Sequence, residues 1–192
     1  MEGGRDIASF VNDLLKQNWA LKIASRDFHP TDHISFVTQH TGKEAFTSIH
    51  TITSPKNPQE TQETTIWPPH CVQGTEGCEF IAELDSSRFD MVVDKGQDKR
   101  VESYSAFGPP FENPPVSKTG LEDTLRKAGV TDVVVVGLAY DYCVKCTAID
   151  AAKAGFGVTL LENGTRAVDH SKEALDGIRR ELEVHGVRIK RD

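Results

Sequence analysis

Several features that would place a protein in a special class are scarce in this chain of 192 residues. Its longest apolar stretch is centred on residues 133–136, far shorter than the roughly 20 residues that a membrane-spanning helix needs. Four cysteines are too few for a disulfide scaffold, so each is expected to be a core residue, a metal ligand or a nucleophile. Acidic residues outnumber basic ones by 29 to 22, which argues against a nucleic-acid partner. We therefore expect neither a membrane nor a nucleic acid as partner.

The residues that are present are typical of an ordinary globular protein, with 38% hydrophobic and 27% charged side chains. The length is sufficient to enclose the core of one domain, and we assign residues 1–192 to a single domain. The chain does not open with a charged and then apolar signal segment. We therefore expect an intracellular, cytoplasmic protein, with peroxisomal and nuclear locations also open.

Helix and strand patterns alternate along the chain. Apolar residues at helical spacing predict helices over residues 7–15, 121–128, 144–154 and 172–182, the last of them capped by Ser171. Apolar runs predict strands at residues 19–24, 91–93, 133–136, 157–161 and 187–189. Residues 30–77 and 102–118 are polar or proline-rich and are expected to be loops. This order predicts an α/β fold, a three-layer, doubly wound parallel sheet with helices on both faces.

Ligands of such sheets bind at the carboxyl ends of the strands, and reactive side chains follow the first predicted strand. Asp27 and His29 are two residues apart, so both can face one side, and His33 follows them. Carboxylate and imidazole groups suit Zn, Fe or Mn. A polar loop with solvated histidines is the alternative.

A second histidine follows a pair of prolines. The prolines stiffen the approach to His70, and the ring of Trp67 can stack on a planar ligand. A proline-rich turn around one buried tryptophan is the alternative interpretation. A dyad of Cys71 with His70 is disfavoured, because adjacent residues of an extended chain point apart.

Two further candidates follow the other strands. Lys95 stands at the end of a buried strand, where it can serve as a catalytic cation, although a surface lysine is the commoner case. Cys143 lies where the strand at 133–136 turns into a helix, and the free N–H groups of a helix start can stabilise a thiolate or an oxyanion. A redox pair with Cys146 is disfavoured because no thioredoxin-like order surrounds it. A structural zinc site built from all four cysteines is disfavoured because the spacing of seven between Cys71 and Cys78 does not suit the usual zinc knuckle.

Five blocks of this sequence occur in the order found in nicotinamidases of the isochorismatase-like cysteine hydrolase family, which the chain resembles over nearly its whole length. The blocks are residues 27–36, 67–75, 95–96 with 104–107, 137–144 and 155–156. The Asp-x-His and Trp-Pro-x-His segments are specific, because members of the superfamily that use no metal generally lack this pairing.

The resemblance implies a metal-dependent amidase that hydrolyses nicotinamide, a small-molecule substrate, to nicotinate and ammonia in NAD salvage. Cys143 would form a thioester with the substrate, and Lys95 would lower the pKa of its thiol. The resemblance implies one divalent metal ion, with zinc as the first choice and Fe or Mn as alternatives. Its implied ligands are Asp27, His29 and His70, joined in some members by His33.

The resemblance also implies how the substrate is held. Trp67, with Tyr104 or Phe107, would form a wall against the ring. The Leu138–Ala139 bond matches a cis peptide of the family, which would aim the N–H groups of Ala139 and Cys143 at the oxyanion. The family is also compatible with a homo-oligomer.

One departure concerns the start of the chain. Family members begin with a central strand that ends in an Asp-x-Gln-x-Asp-Phe-like segment, whose first Asp moves the proton of the thiol. The present chain starts at a point that matches the residues after that strand. We therefore expect the first central strand to be absent, as in a truncated form of an active enzyme. An impaired pseudoenzyme or binding paralogue, a strand supplied by a second chain, and a hydrolase of another small ring amide are the alternatives.

Overall fold

The computed structural model describes residues 1–191. Within them lie helices α1 (Ile7–Leu15), α2 (Leu121–Lys127), α3 (Lys145–Lys153) and α4 (Lys172–Val184). The strands are β1 (Ile23–Asp27), β2 (Ile49–Thr53), β3 (Thr61–Thr65), β4 (Met91–Lys95), β5 (Asp132–Leu138), β6 (Gly157–Arg166) and β7 (Arg188–Lys190). No helix of this part of the chain has the length and apolar character that crossing a membrane requires.

Two parallel sheets form the centre of the fold. Strand β1 pairs with β4, and β5, β6 and β7 pair in that order. A single hydrophobic cluster packs against both sheets, with Val93 on β4 and Leu160 on β6 among its buried members. The parallel α/β architecture is confirmed, although over residues 1–191 no ladder joins the two sheets. The absence of a central strand stays a prediction.

Helices cover both faces of the β5–β7 sheet. Val133 and Val135 pack on the cluster that contains α3 and α4. Val136 lies close to Gly164 and to the ring of Phe10 on α1, and a Cβ on that glycine would be 2.7 Å from Val136. Because successive side chains of a strand point to opposite faces, α1 lies on the face opposite to α3 and α4.

Most elements agree with the predicted ones. Ser171 caps α4 as expected, and its hydroxyl accepts a hydrogen bond from the N–H of Ala174 at 3.2 Å. The first strand is an exception, because it spans Ile23–Asp27 and not residues 19–24. Trp19 Nε1 donates to the carbonyl of Leu14 at 2.7 Å, so the apolar residues before β1 close the end of α1 instead of entering a sheet.

The prediction of an uninterrupted loop over residues 30–77 is wrong. Strands β2 and β3 form an antiparallel pair inside it. Their side chains are mostly polar, and only Ile52 and Thr64 of the two strands are buried. Since a strand is recognised by alternating apolar residues, a pair with so few gives almost no signal.

Candidate active site

Cys143 lies in a π-helical turn, Tyr140–Val144, that joins β5 to α3. The carbonyl of Ala139 accepts hydrogen bonds from the N–H groups of Tyr142 at 3.2 Å and Val144 at 3.0 Å. The Leu138–Ala139 peptide is cis, as the resemblance implies. We call residues 139–144 the nucleophile turn.

Lys95 connects this turn to the end of the β1–β4 sheet. Its Nζ lies 3.3 Å from the Sγ of Cys143, donates to the carbonyl of Ser103 at 2.8 Å and forms an ion pair with Oδ1 of Asp27. Asp27 and Lys95 are partners in the parallel ladder and end their strands side by side. The carboxyl ends of β1 and β4 therefore meet the turn that follows β5, as expected for a site at this edge of a sheet.

Burial and the nearest opposite charge shift the pKa of each of these three groups in opposite directions. Burial and, less strongly, the Asp27 carboxylate raise the pKa of the Cys143 thiol, and Lys95 lowers it, which together leaves that pKa at about 12. The ion pair outweighs burial for its own two members: the pKa of Lys95 is raised and the pKa of Asp27 is lowered. Lys95 thus acts on the thiol in the predicted direction, but the thiol itself remains protonated near neutral pH.

Asp27, His29 and His70 place one donor atom each within 4.8 Å of one another. Nε2 of His70 lies 3.9 Å from Oδ2 of Asp27. The Nδ1 atoms of His29 and His70 are each 2.9 Å from a backbone carbonyl, of Gly96 and Pro68 respectively. This leaves both Nε2 atoms available, which is the usual orientation of metal-binding histidines, and the three residues fit a divalent ion.

The backbone of Gly96 makes room for His29. A Cβ on this glycine would lie 2.6 Å from Nδ1 of the His29 ring, closer than side chains approach one another. Its φ of 66° is also one that a larger residue rarely adopts. The ring can reach its position only because residue 96 has no side chain.

His33 is not brought into the set of three. It is buried, with Nδ1 2.8 Å from the hydroxyl of Ser35 and Nε2 3.1 Å from the carbonyl of Val101. It belongs instead to a second group of close donors with His29 and Glu102. Burial lowers the pKa of His33 to about 4. Its implied role as a fourth ligand stays a prediction.

Glu102 is a site residue that the sequence analysis missed. It is only 2% exposed, and its Oε1 accepts a hydrogen bond from the N–H of Ser103 at 2.7 Å. The residue lies in a segment predicted only as a loop, so no pattern distinguished it from the other acidic residues. A search for carboxylates close after Lys95 would have included it.

Aromatic side chains adjoin the histidines. The Trp67 ring stands edge-on to Tyr142, with centroids 4.8 Å apart, and its Nε1 donates to the hydroxyl of Tyr104 at 3.0 Å. The ring centroids of Trp67 and His70 are 6.4 Å apart, so these aromatic side chains adjoin the candidate metal ligands. Tyr142 was missed, although its place beside Cys143 was a usable signal. Phe107 packs in the hydrophobic cluster shared by the two sheets.

The isochorismatase domain family matches residues 23–184 of this chain. The chain belongs to that family. It is 33% identical to the nicotinamidase of Saccharomyces cerevisiae, over 97% of this chain and 88% of the yeast protein. It is 38% identical to the nicotinamidase of Escherichia coli, over 85% of this chain and 71% of the bacterial protein.

Solved structures agree with this assignment. Yeast nicotinamidase Pnc1p bound to the inhibitor nicotinaldehyde superposes with a TM-score of 0.91 at 32% identity, covering 100% of this chain and 90% of the yeast chain. The pyrazinamidase of Pyrococcus horikoshii in complex with zinc gives a TM-score of 0.74 at 30% identity, covering 100% of this chain and 88% of that chain. The isochorismatase-like α/β fold is therefore shared with both.

Proposed function

We propose that this chain hydrolyses the carboxamide C–N bond of nicotinamide, giving nicotinate and ammonia. The observation that carries the proposal is the contact of Cys143 with Lys95, which is itself paired with Asp27 beside His29 and His70. A thiol, a buried ammonium and a ligand set for a cation thus surround one small space. The relatives named above as nicotinamidases support nicotinamide as the substrate.

In this mechanism the Cys143 sulfur attacks the carboxamide carbon, and the proton of its thiol passes to the carboxamide nitrogen. Lys95, 3.3 Å away, stabilises the thiolate, and the N–H groups of the nucleophile turn stabilise the oxyanion. The C–N bond breaks and the nitrogen leaves as ammonia after taking a proton, which gives a thioester. Water then adds to the thioester, releasing nicotinate and restoring the thiol.

The substrate ring is held against Trp67 and Tyr142, which stand edge-on to each other. Asp27, His29 and His70 would hold a divalent ion, which would act as a Lewis acid towards the ring nitrogen. We assign zinc on the ligand chemistry and because a relative of this chain is known in complex with zinc. Metal analysis of the purified protein tests this, and dominant iron or manganese would overturn the assignment.

Ammonia release from nicotinamide tests the proposed reaction. Cys143→Ala is expected to lose at least about 10³-fold in kcat/KM, because the attacking atom is removed. Cys146→Ala is the matched control, since its thiol belongs to α3 and has no part in the mechanism. Activity that survives Cys143→Ala and not Cys146→Ala would contradict the proposed nucleophile.

Pyrazinamide is a second candidate substrate. The chain is 32% identical, over 92% of its length, to a Mycobacterium tuberculosis protein named nicotinamidase/pyrazinamidase. Comparing kcat/KM for the two amides decides which of them the site prefers. The place in NAD salvage, the cytoplasmic location and a homo-oligomer stay predictions.

A further inference from the structure

Asp141 ties the nucleophile turn to the loop at residues 167–170, which connects β6 to α4. Both of its carboxylate oxygens lie 3.0 Å from the N–H of Val168, and Oδ2 also accepts from the N–H of Asp169 at 2.9 Å. Hydrogen bonds to a carboxylate are about twice as strong as those between neutral groups. The side chain two residues before the nucleophile therefore holds a segment 27 residues further along the chain.

The other two residues before Cys143 are anchored in different directions. The hydroxyl of Tyr140 donates to Glu162 on β6 at 3.0 Å. The ring of Tyr142 packs against Trp67 and Tyr104. Of the residues Tyr140–Val144, Asp141 alone carries a charge, and it is the one that bonds to backbone N–H groups outside the turn.

We propose that Asp141 is a positioning residue, whose carboxylate fixes the nucleophile turn against loop 167–170 and so keeps Cys143 in contact with Lys95. This inference rests on the proposed function. The Sγ–Nζ distance of 3.3 Å leaves little room for movement of the turn. A displacement of about 1 Å in a reacting group can cost roughly 10²-fold in rate, so the effect should be measurable.

Steady-state kinetics on nicotinamide compare Asp141→Ala with Asp169→Ala. The control also removes a carboxylate that accepts a backbone N–H, but that carboxylate bonds to Ser171 within the loop, at 2.8 Å, and not to the turn. Asp141→Ala should lower kcat by roughly 10- to 100-fold with little change in KM, because substrate binding does not use Asp141. Equal kcat for Asp141→Ala and wild type, or an equal loss in Asp169→Ala, would overturn the proposal.

Alkylation of Cys143 by iodoacetamide tests the same idea without turnover, with Cys143→Ala giving the background from the other thiols. The rate at Cys143 should fall in Asp141→Ala and stay near wild type in Asp169→Ala, because only the first loosens the contact with Lys95. If the wild type fails to hydrolyse nicotinamide, the proposed function fails while alkylation still decides the role of Asp141.

Asp141→Asn covers the case in which Asp141→Ala does not fold, as judged by thermal unfolding. The amide keeps one oxygen to accept from Val168 but presents a donor to the N–H of Asp169. An alkylation rate below wild type supports the proposal. A wild-type rate in folded Asp141→Asn, together with wild-type kcat, overturns it.

Discussion

The candidate site joins two regions of the molecule that bury their residues in different ways. In residues 23–119, which we call the ligand region, polar side chains such as His29 and Lys95 are buried. In residues 120–191, the nucleophile region, the buried side chains are apolar with the exception of Thr165. The first region supplies the proposed metal ligands and the cation, and the second supplies the thiol.

This difference in burial determines how the stability of each region responds to substitution. A buried polar group must be matched by specific partners, because leaving one unpaired costs free energy that no other contact restores. An apolar core depends on volume and area, and tolerates substitutions that conserve them. We therefore expect the losses of stability in the ligand region to be large and to depend on pairing. In the nucleophile region we expect them to depend mainly on volume and only weakly on charge.

Removal of Lys95 is expected to have the largest effect on stability. Lys95→Met leaves the largely buried carboxylate of Asp27 without its cation, which should lower the free energy of unfolding by up to about 3–5 kcal/mol. The double variant Asp27→Asn with Lys95→Met removes both charges and should lose less than Lys95→Met alone. Denaturant unfolding in the presence of a chelator measures both values without a contribution from metal.

Leu160→Ala is the matched change in the nucleophile region. Leu160 is fully buried in the cluster shared by the two sheets, and a cavity there should cost about 2–5 kcal/mol. When Leu160→Ala is combined with the double charge variant, the two losses of stability should sum, since the two sites share no partner. If the double charge variant proves less stable than Lys95→Met alone, burial in the ligand region does not depend on pairing.

The nucleophile region was the easier of the two to predict from sequence. The four valines at 133–136, the spacing of Leu175, Ile178 and Leu182, and the cap at Ser171 all indicate their elements directly. Each of these elements buries apolar residues, so its pattern of hydrophobicity carries the information. Once these elements were predicted, the alternation of strands and helices was sufficient to predict the α/β fold class.

The ligand region was predicted mainly through its motifs and not through its secondary structure. The pair β2–β3 was missed because polar residues predominate on it, and Glu102 was missed because burial of an acid leaves no pattern in the sequence. His33 shows the same limit, since the separation of its ring from the set around Asp27 depends on hydrogen bonds to Ser35 and Val101. Such partners are fixed only when the chain folds.

Gly96→Ala tests whether metal binding in the ligand region depends on the exact position of the His29 ring. The new Cβ would collide with the His29 ring, so zinc affinity should fall by roughly 10- to 100-fold, as it does when groups that orient metal ligands are lost. Gly129→Ala is the control in the nucleophile region. Its φ of 69° resembles the 66° of Gly96, but nothing lies within 4 Å of its Cβ position.

Competition with a chromogenic chelator measures zinc affinity in both glycine variants. The backbone strain is similar, so both variants should lose stability, but only Gly96→Ala, whose Cβ also meets the His29 ring, should lose zinc affinity. Equal affinity in the two variants would show that the His29 ring can move without harm to the metal ligands.

Glu162→Gln is expected to have the smallest effect, and it asks whether charge matters in the nucleophile region. Burial raises the pKa of Glu162, but Arg179 at 2.7 Å and the Tyr140 hydroxyl lower it more, so the folded-state pKa lies below the ordinary value. The carboxylate therefore stabilises the folded protein above about pH 4–5, and this contribution is lost as the pH falls below that range. The variant should be about 1–2 kcal/mol less stable at pH 7, and the difference should shrink as the pH falls below about 4. A loss at pH 7 as large as that of Lys95→Met would mean that paired charges matter equally in both regions, and the distinction between them would not hold.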